Sequence, residues 1–139
     1  MKQKLILTDV DGVLLDWNSA FDQYMRDRGF VEDDSQTNRY SLYKRYNIDK
    51  LEMNNIIEAF NNSDIVMGLN PLADSVKYIK QLSNYGFTFV AITSLSDTPL
   101  AYKNRCHNLN IAFNDVIFEE IICLPIGCGK YSILERWEN

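Results

Sequence analysis

The chain is short of cysteine, of surplus positive charge and of long apolar runs, and each shortage closes off a class of explanation. Its three cysteines, Cys106, Cys123 and Cys128, are too few and too scattered for the disulfide framework of a small secreted domain. A reducing, cytoplasmic setting is therefore expected. Cys123 and Cys128 with His107 match no usual zinc-ligand spacing. Lys and Arg number 14 against 19 Asp and Glu, a formal net charge of −5, which argues against a surface built to hold polynucleotide. No apolar run is long enough to span a bilayer, so no membrane association is expected. The basic start and Leu5-Ile6-Leu7 resemble a signal peptide only until Asp9 and Asp11 interrupt them. Internal repeats and low-complexity tracts are also missing.

What remains is a chain of 139 residues with an apolar share of 46%, enough for one compact domain or a modest core with an insertion. Leu5-Ile6-Leu7 reads as a buried strand. Asn18 or Ser19 can cap a helix through Phe21, Tyr24 and Met25 that ends at Gly29. Residues 32–38 are polar and read as a loop, and Arg39 to Tyr46 read as a helix with aromatic and cationic side chains. Asp49 starts another helix, with Glu52 as its capping-box partner and Leu51, Ile56, Ile57 and Phe60 as its apolar face. Asn70-Pro71 opens a helix through Leu72, Val76, Ile79 and Leu82 that Gly86 closes. Phe87 to Ile92 is a second buried strand, leading into Thr93-Ser94. Asp97-Thr98-Pro99 starts a helix running to about Asn108. A further strand region, Val116 to Phe118 and Ile121 to Leu124, is divided by Glu119-Glu120, and a short helix with Ile133, Leu134 and Trp137 follows Lys130. This alternation predicts an α/β fold with a parallel, Rossmann-like sheet. Residues 17–68 form a small helical insertion after the first strand; 1–16 and 69–139 form the α/β core.

Asp9 and Asp11 crowd the end of the first strand, just before Gly12. Asp before Gly is a common turn, and that plainer account needs no chemistry. At the carboxyl end of a parallel strand, however, two neighbouring acids repel unless a cation or proton compensates them, which points to a hard metal ion and an anionic ligand. Thr93 and Ser94 end the second strand, where a hydroxyl and backbone N–H groups can hold a phosphoryl group. Lys130 stands before the last helix and can offset the charge of an anion; a solvated surface lysine is the alternative. Its Gly-x-Gly-Lys context is no P-loop, because Leu124 stands where the first glycine belongs and Tyr131 replaces the Ser or Thr.

Asp9-Val10-Asp11-Gly12-Val13-Leu14 resembles the first motif of the haloacid dehalogenase-like phosphohydrolases, with Thr93-Ser94 similar to the second and Lys130 to the third. The run from Asp9 to Trp17, a compact helical cap over 17–68, and Gly68-Leu69-Asn70-Pro71-Leu72 together look most like the 5′(3′)-deoxyribonucleotidase group. The resemblance implies a Mg²⁺-dependent phosphomonoesterase acting on nucleoside 5′-monophosphates. Asp9 would be the nucleophile that forms an aspartyl-phosphate, and Asp11 the general acid and base. Mg²⁺ would sit on Asp9 and Asp11, with Thr93, Ser94 and Lys130 on the phosphate. The alternatives are a phosphatase of another small phosphate ester and a truncated, non-catalytic phosphate-binding form. The cap aromatics Tyr24, Tyr40, Tyr43, Tyr46 and Phe60 can stack on a base, but most are expected to pack the cap against itself.

The sequence departs from that pattern at its end. The fourth motif, one or two acids after a further strand, would come after Trp137-Glu138-Asn139. Three expectations follow: a core incomplete at its carboxyl end, self-association as a homodimer through an uncovered first strand, or substitution of the missing ligand by Glu138 or another acid.

Overall fold

Three apolar runs supply the sheet, and the segments between them are helical. The computed structural model describes residues 4–35, 41–125 and 127–138. Arg39, Tyr40 and Asn139 lie outside the described residues. Strands β1 (Leu5–Thr8), β2 (Thr88–Ser94) and β3 (Phe118–Leu124) form a parallel sheet in the order β1-β2-β3. Leu7 pairs with Val90 and Ser94 with Leu124, so all three strands deliver their carboxyl ends to one edge. Strand β2 is central and almost wholly buried from Phe89 to Thr93, as a continuous apolar run predicts. The pair Glu119-Glu120 does not divide the last strand. The register slips between Phe89 and Val90, which face Phe118 and Glu120, so Glu119 is absorbed as a bulge.

Between β1 and the next core helix lie α1 (Trp17–Asp27), the single turn α2 (Leu42–Arg45), α3 (Lys50–Asn61) and a 3₁₀ turn at Asp64–Gly68. Asp16, rather than Asn18 or Ser19, caps α1 by accepting from the Ser19 N–H at 3.1 Å. Asp49 caps α3 as expected, accepting from Leu51 N–H. The buried side of α3 is set by Met53 and Phe60, whereas Leu51 is 70% exposed. Trp17, Phe21, Tyr24, Tyr46 and Phe60 pack ring to ring, with Tyr24 against Phe60 and Tyr46 against Phe21, so these rings are buried within the cluster. That cluster is continuous with the core under the sheet, through Val66, Leu69, Phe89 and Leu109.

Helix α4 (Ala73–Asn84) begins after Leu72 rather than at Asn70, because Asn70 to Leu72 are used as extended chain. Asp16 N–H donates to Asn70 O at 2.8 Å and Leu72 N–H to Leu14 O at 2.9 Å, which ties the loop after β1 to the start of α4. Helix α5 (Pro99–Ala112) is capped by Thr98, whose hydroxyl accepts from Ala101 N–H. Its buried face carries Asn104, Arg105 and Asn108 beside Ala101 and Leu109. Asn108 bonds both the N–H and the carbonyl of Leu69, at 3.1 and 3.0 Å. Asn108→Ala strands two buried backbone groups and is expected to cost about 2 kcal/mol in urea unfolding. A loss indistinguishable from zero would show that this clip contributes nothing. The chain continues into α6 (Tyr131–Leu134) and a 3₁₀ turn at Glu135–Trp137.

Candidate active site

The end of β1 runs into a tight turn built on one carbonyl. Val10 O accepts from the N–H groups of Val13, Leu14 and Leu15, and Gly12 takes φ +79°, a conformation that side chains resist. The turn fixes Asp9 and Asp11 on either side of the fully buried Val10. Asp9 Oδ1 accepts from Val10 N–H at 2.7 Å and pairs with Lys130 Nζ at 2.8 Å. The cation that precedes α6 therefore reaches the first carboxylate. With Asp9 and Lys130 side chains 48% and 27% exposed, this pair stands at the mouth of the site, open to an incoming anion.

Asp11 has a different environment. Arg105 Nη2 holds its Oδ2 at 2.8 Å, while its Oδ1 is buried with no protein partner. Burial raises the Asp11 carboxyl above its ordinary value; Arg105 opposes this, Asp9 adds to it, and Lys130 opposes it more weakly. The Thr93 hydroxyl is also buried without a partner, and Ser94 Oγ lies 3.5 Å from Cys128 O. Successive side chains of a strand point to opposite faces, so Thr93 and Ser94 do not present both hydroxyls to one point. The structure thus joins Asp9 to Lys130 directly, sets Asp11 beside them on the same turn, and leaves two buried oxygens, Asp11 Oδ1 and Thr93 Oγ1, unsatisfied.

Arg105 was not among the residues that sequence singles out. An arginine inside a helix reads as solvated, and its partner is 94 positions away. The one available signal was the run Ala101, Asn104, Arg105, Asn108, Leu109 at helical spacing, a core-facing stripe with three polar members.

A cleft of about 360 Å³ opens at the same sheet edge, lined by Asn54, Asn55 and Glu58 of α3 and by Ser96, Asp97 and Pro125 of the loops after β2 and β3. Ser96 Oγ donates to Glu58 Oε1 at 3.0 Å, fixing one wall. The size suits a small organic ligand, and the amides and carboxylates offer both donors and acceptors.

Cys123 lies near Arg105 and Asp11, and burial pushes its thiol up to about 11, with Arg105 partly opposing. At pH 8 Cys123 is therefore held as the thiol rather than the thiolate, the reactive form. Iodoacetamide should accordingly modify the exposed Cys128 well before Cys123; peptide mapping that finds Cys123 alkylated first would contradict this burial.

Among the described residues no three His, Cys, Asp or Glu side chains converge as a metal cage, and no helix is long and apolar enough to cross a membrane. Mg²⁺ is commonly held by one or two carboxylates, with water and substrate phosphate completing its shell. The half-exposed Asp9 carboxylate and the backbone carbonyl of Asp11 are oxygen donors of the kind that ion takes.

No family model matches the sequence. The chain is 32% identical over 126 residues to an uncharacterized 32.4 kDa protein of the Gp30–rIII intergenic region of Enterobacteria phage T4, spanning 85% of this chain and 44% of that one. In three dimensions it resembles a class C acid phosphatase from Bacillus anthracis solved with tungstate bound, with a TM-score of 0.58 at 16% identity, over 98% of this chain and 47% of that protein. The chain therefore spans somewhat less than half the length of the relatives it matches. Its fold is haloacid dehalogenase-like: a parallel α/β sheet with helices between its strands.

Proposed function

We propose that this chain, with its haloacid dehalogenase-like sheet, is a phosphomonoesterase that works through an aspartyl-phosphate on Asp9. The observation that carries the reading is the Asp9–Lys130 contact of 2.8 Å at the mouth of the sheet edge, beside an Asp11 carboxyl raised by burial. An Asp9 oxygen attacks phosphorus, the bond to the leaving oxygen breaks, and Asp11 gives that oxygen its proton. Water then attacks the same phosphorus, Asp11 takes its proton, and inorganic phosphate leaves with the Asp9 carboxylate restored. Lys130, already on Asp9, neutralises a phosphate that Asp9 attacks, and the end of β2 at Thr93 and Ser94 supplies a neutral donor from one of its hydroxyls or its backbone N–H groups. Mg²⁺ is the proposed cofactor, held by Asp9 and Asp11, and when bound it withdraws charge from the phosphoryl oxygens.

The proposed substrates are nucleoside 5′-monophosphates, with residues 17–68 acting as the cap. Supporting this is the amide and carboxylate lining of the 360 Å³ cleft, which complements a base better than it would a second phosphate. Among the described residues no strand covers the outer edge of β1, and that edge, flanked by a groove of Thr8, Val13, Tyr78 and Ile79, suits pairing with a second copy of the chain. Hydrolysis of p-nitrophenyl phosphate that needs Mg²⁺ and stops with EDTA tests the reaction, and a panel of nucleotides and sugar phosphates tests the substrate. Phosphate binding without turnover would favour the non-catalytic form instead, and turnover indifferent to EDTA would remove Mg²⁺ from the proposal.

A further inference from the structure

Lys130 is carried by a segment that apolar packing does not fix: from Gly127 to Glu138 no residue is buried. Polar links to the rest of the chain take its place among the described residues. Ser94 Oγ lies 3.5 Å from Cys128 O, Lys130 Nζ meets Asp9 at 2.8 Å, and Arg136 pairs with Glu120. The first of these is long, and the second is the working contact itself. The third is the best made: Arg136 Nη1 and Nη2 donate to Glu120 Oε1 and Oε2 at 3.1 and 2.9 Å, fork on fork, while the guanidinium lies over the Trp137 ring, 4.8 Å from its centroid. Glu120 stands near the start of β3 and Lys130 at the carboxyl edge of the sheet. The chain therefore doubles back along β3, and the Glu120–Arg136 pair anchors its far end.

The geometry points to Glu120 and Arg136 as positioning residues: their bidentate pair pins the end of the last helical segment against β3 and so holds Lys130 over Asp9, where an arriving phosphate meets it. This rests on the reading of Lys130 as the phosphate-binding cation. The pair acts through Lys130 rather than on the phosphate, since Arg136 commits both terminal nitrogens to Glu120. An exposed pair of ordinary geometry fixes little, but two parallel bonds constrain direction as well as distance, and stacking on Trp137 already restricts the arginine before it pairs.

Lys130 meets the phosphate in the bound ester and in the transition state alike, so a lysine that wanders weakens both equally and raises KM rather than lowering kcat. Arg136→Gln should weaken the binding of inorganic phosphate about three- to fivefold in a phosphorus NMR titration with Mg²⁺ present, the most an exposed pair of good geometry supplies. It should raise KM for p-nitrophenyl phosphate by the same factor and leave kcat within about twofold. Glu120→Arg should weaken phosphate further, because two guanidinium groups then face each other, and Glu120→Arg combined with Arg136→Glu should recover native binding to within about twofold. In a Lys130→Ala background Arg136→Gln should cost nothing more, since no cation is left to place; a role in general stability would lower both backgrounds alike. Unchanged phosphate binding in Arg136→Gln, no recovery in the reversed pair, or an equal further loss on Lys130→Ala would overturn the tether and leave the phosphatase reading intact. The expected losses in a native protein that binds phosphate without turnover would support the tether and overturn the phosphatase reading. Phosphate binding that Lys130→Ala leaves unchanged would overturn the tether together with the role given to Lys130.

Discussion

Asp9→Asn is expected to remove phosphate-ester turnover, by on the order of a thousandfold or more as for other lost nucleophiles, in a protein that still folds. The two halves of this expectation have separate causes. The amide is too weak a nucleophile to displace the leaving oxygen, so the covalent route is closed. The fold survives because the Asp9–Lys130 pair is half exposed, and such pairs contribute about 0–1 kcal/mol. Unchanged circular dichroism with absent turnover is the predicted pair of results. Substantial turnover by Asp9→Asn would exclude a nucleophilic role for this residue.

The largest expected effect on stability lies away from the site, at Phe60. Its ring is fully buried and meets Trp17 and Phe21 at 5.3 Å and Tyr24 at 5.0 Å, all near edge-to-face. Truncation to alanine opens a cavity among rings that cannot collapse, and about 3–5 kcal/mol should be lost. Since single domains hold only about 5–15 kcal/mol in total, Phe60→Ala should unfold at much lower urea concentration. Leu51→Ala, on the same helix but 70% exposed, should change stability by less than about 0.5 kcal/mol. Similar losses for the two would contradict the packing described for α3.

Much of this architecture was legible in the sequence because its signals are local. Apolar runs ending in Asp9 and Thr93, the Asp49 cap, Thr98-Pro99 and the glycines that follow helices act within a few residues, and the structure places them as expected. The errors were non-local. Glu119-Glu120 looked like a break, yet β3 is an outer strand: Glu119 accepts from the Thr88 hydroxyl and Glu120 from Arg136, so both charges have places beside a continuous ladder. Leu51 looked like core because periodicity cannot say which apolar residue of a first turn faces inward. Asn70-Pro71 looked like a helix start, but its backbone is needed to hold the loop after β1. Most telling is Arg105, whose meaning depends wholly on a carboxylate 94 positions away. Lys130 was legible through its motif, whereas its 2.8 Å approach to Asp9 required the fold.

The central claim is that a phosphoryl group passes through the carboxylate at position 9, and trapping that intermediate tests it most directly. Protein quenched during turnover of a phosphate ester and treated with borohydride should contain homoserine in place of aspartate at position 9, because acyl phosphates are reduced and free carboxylates are not. Turnover that proceeds while residue 9 remains aspartate throughout, or a trapped phosphoryl group on any other side chain, would contradict the account.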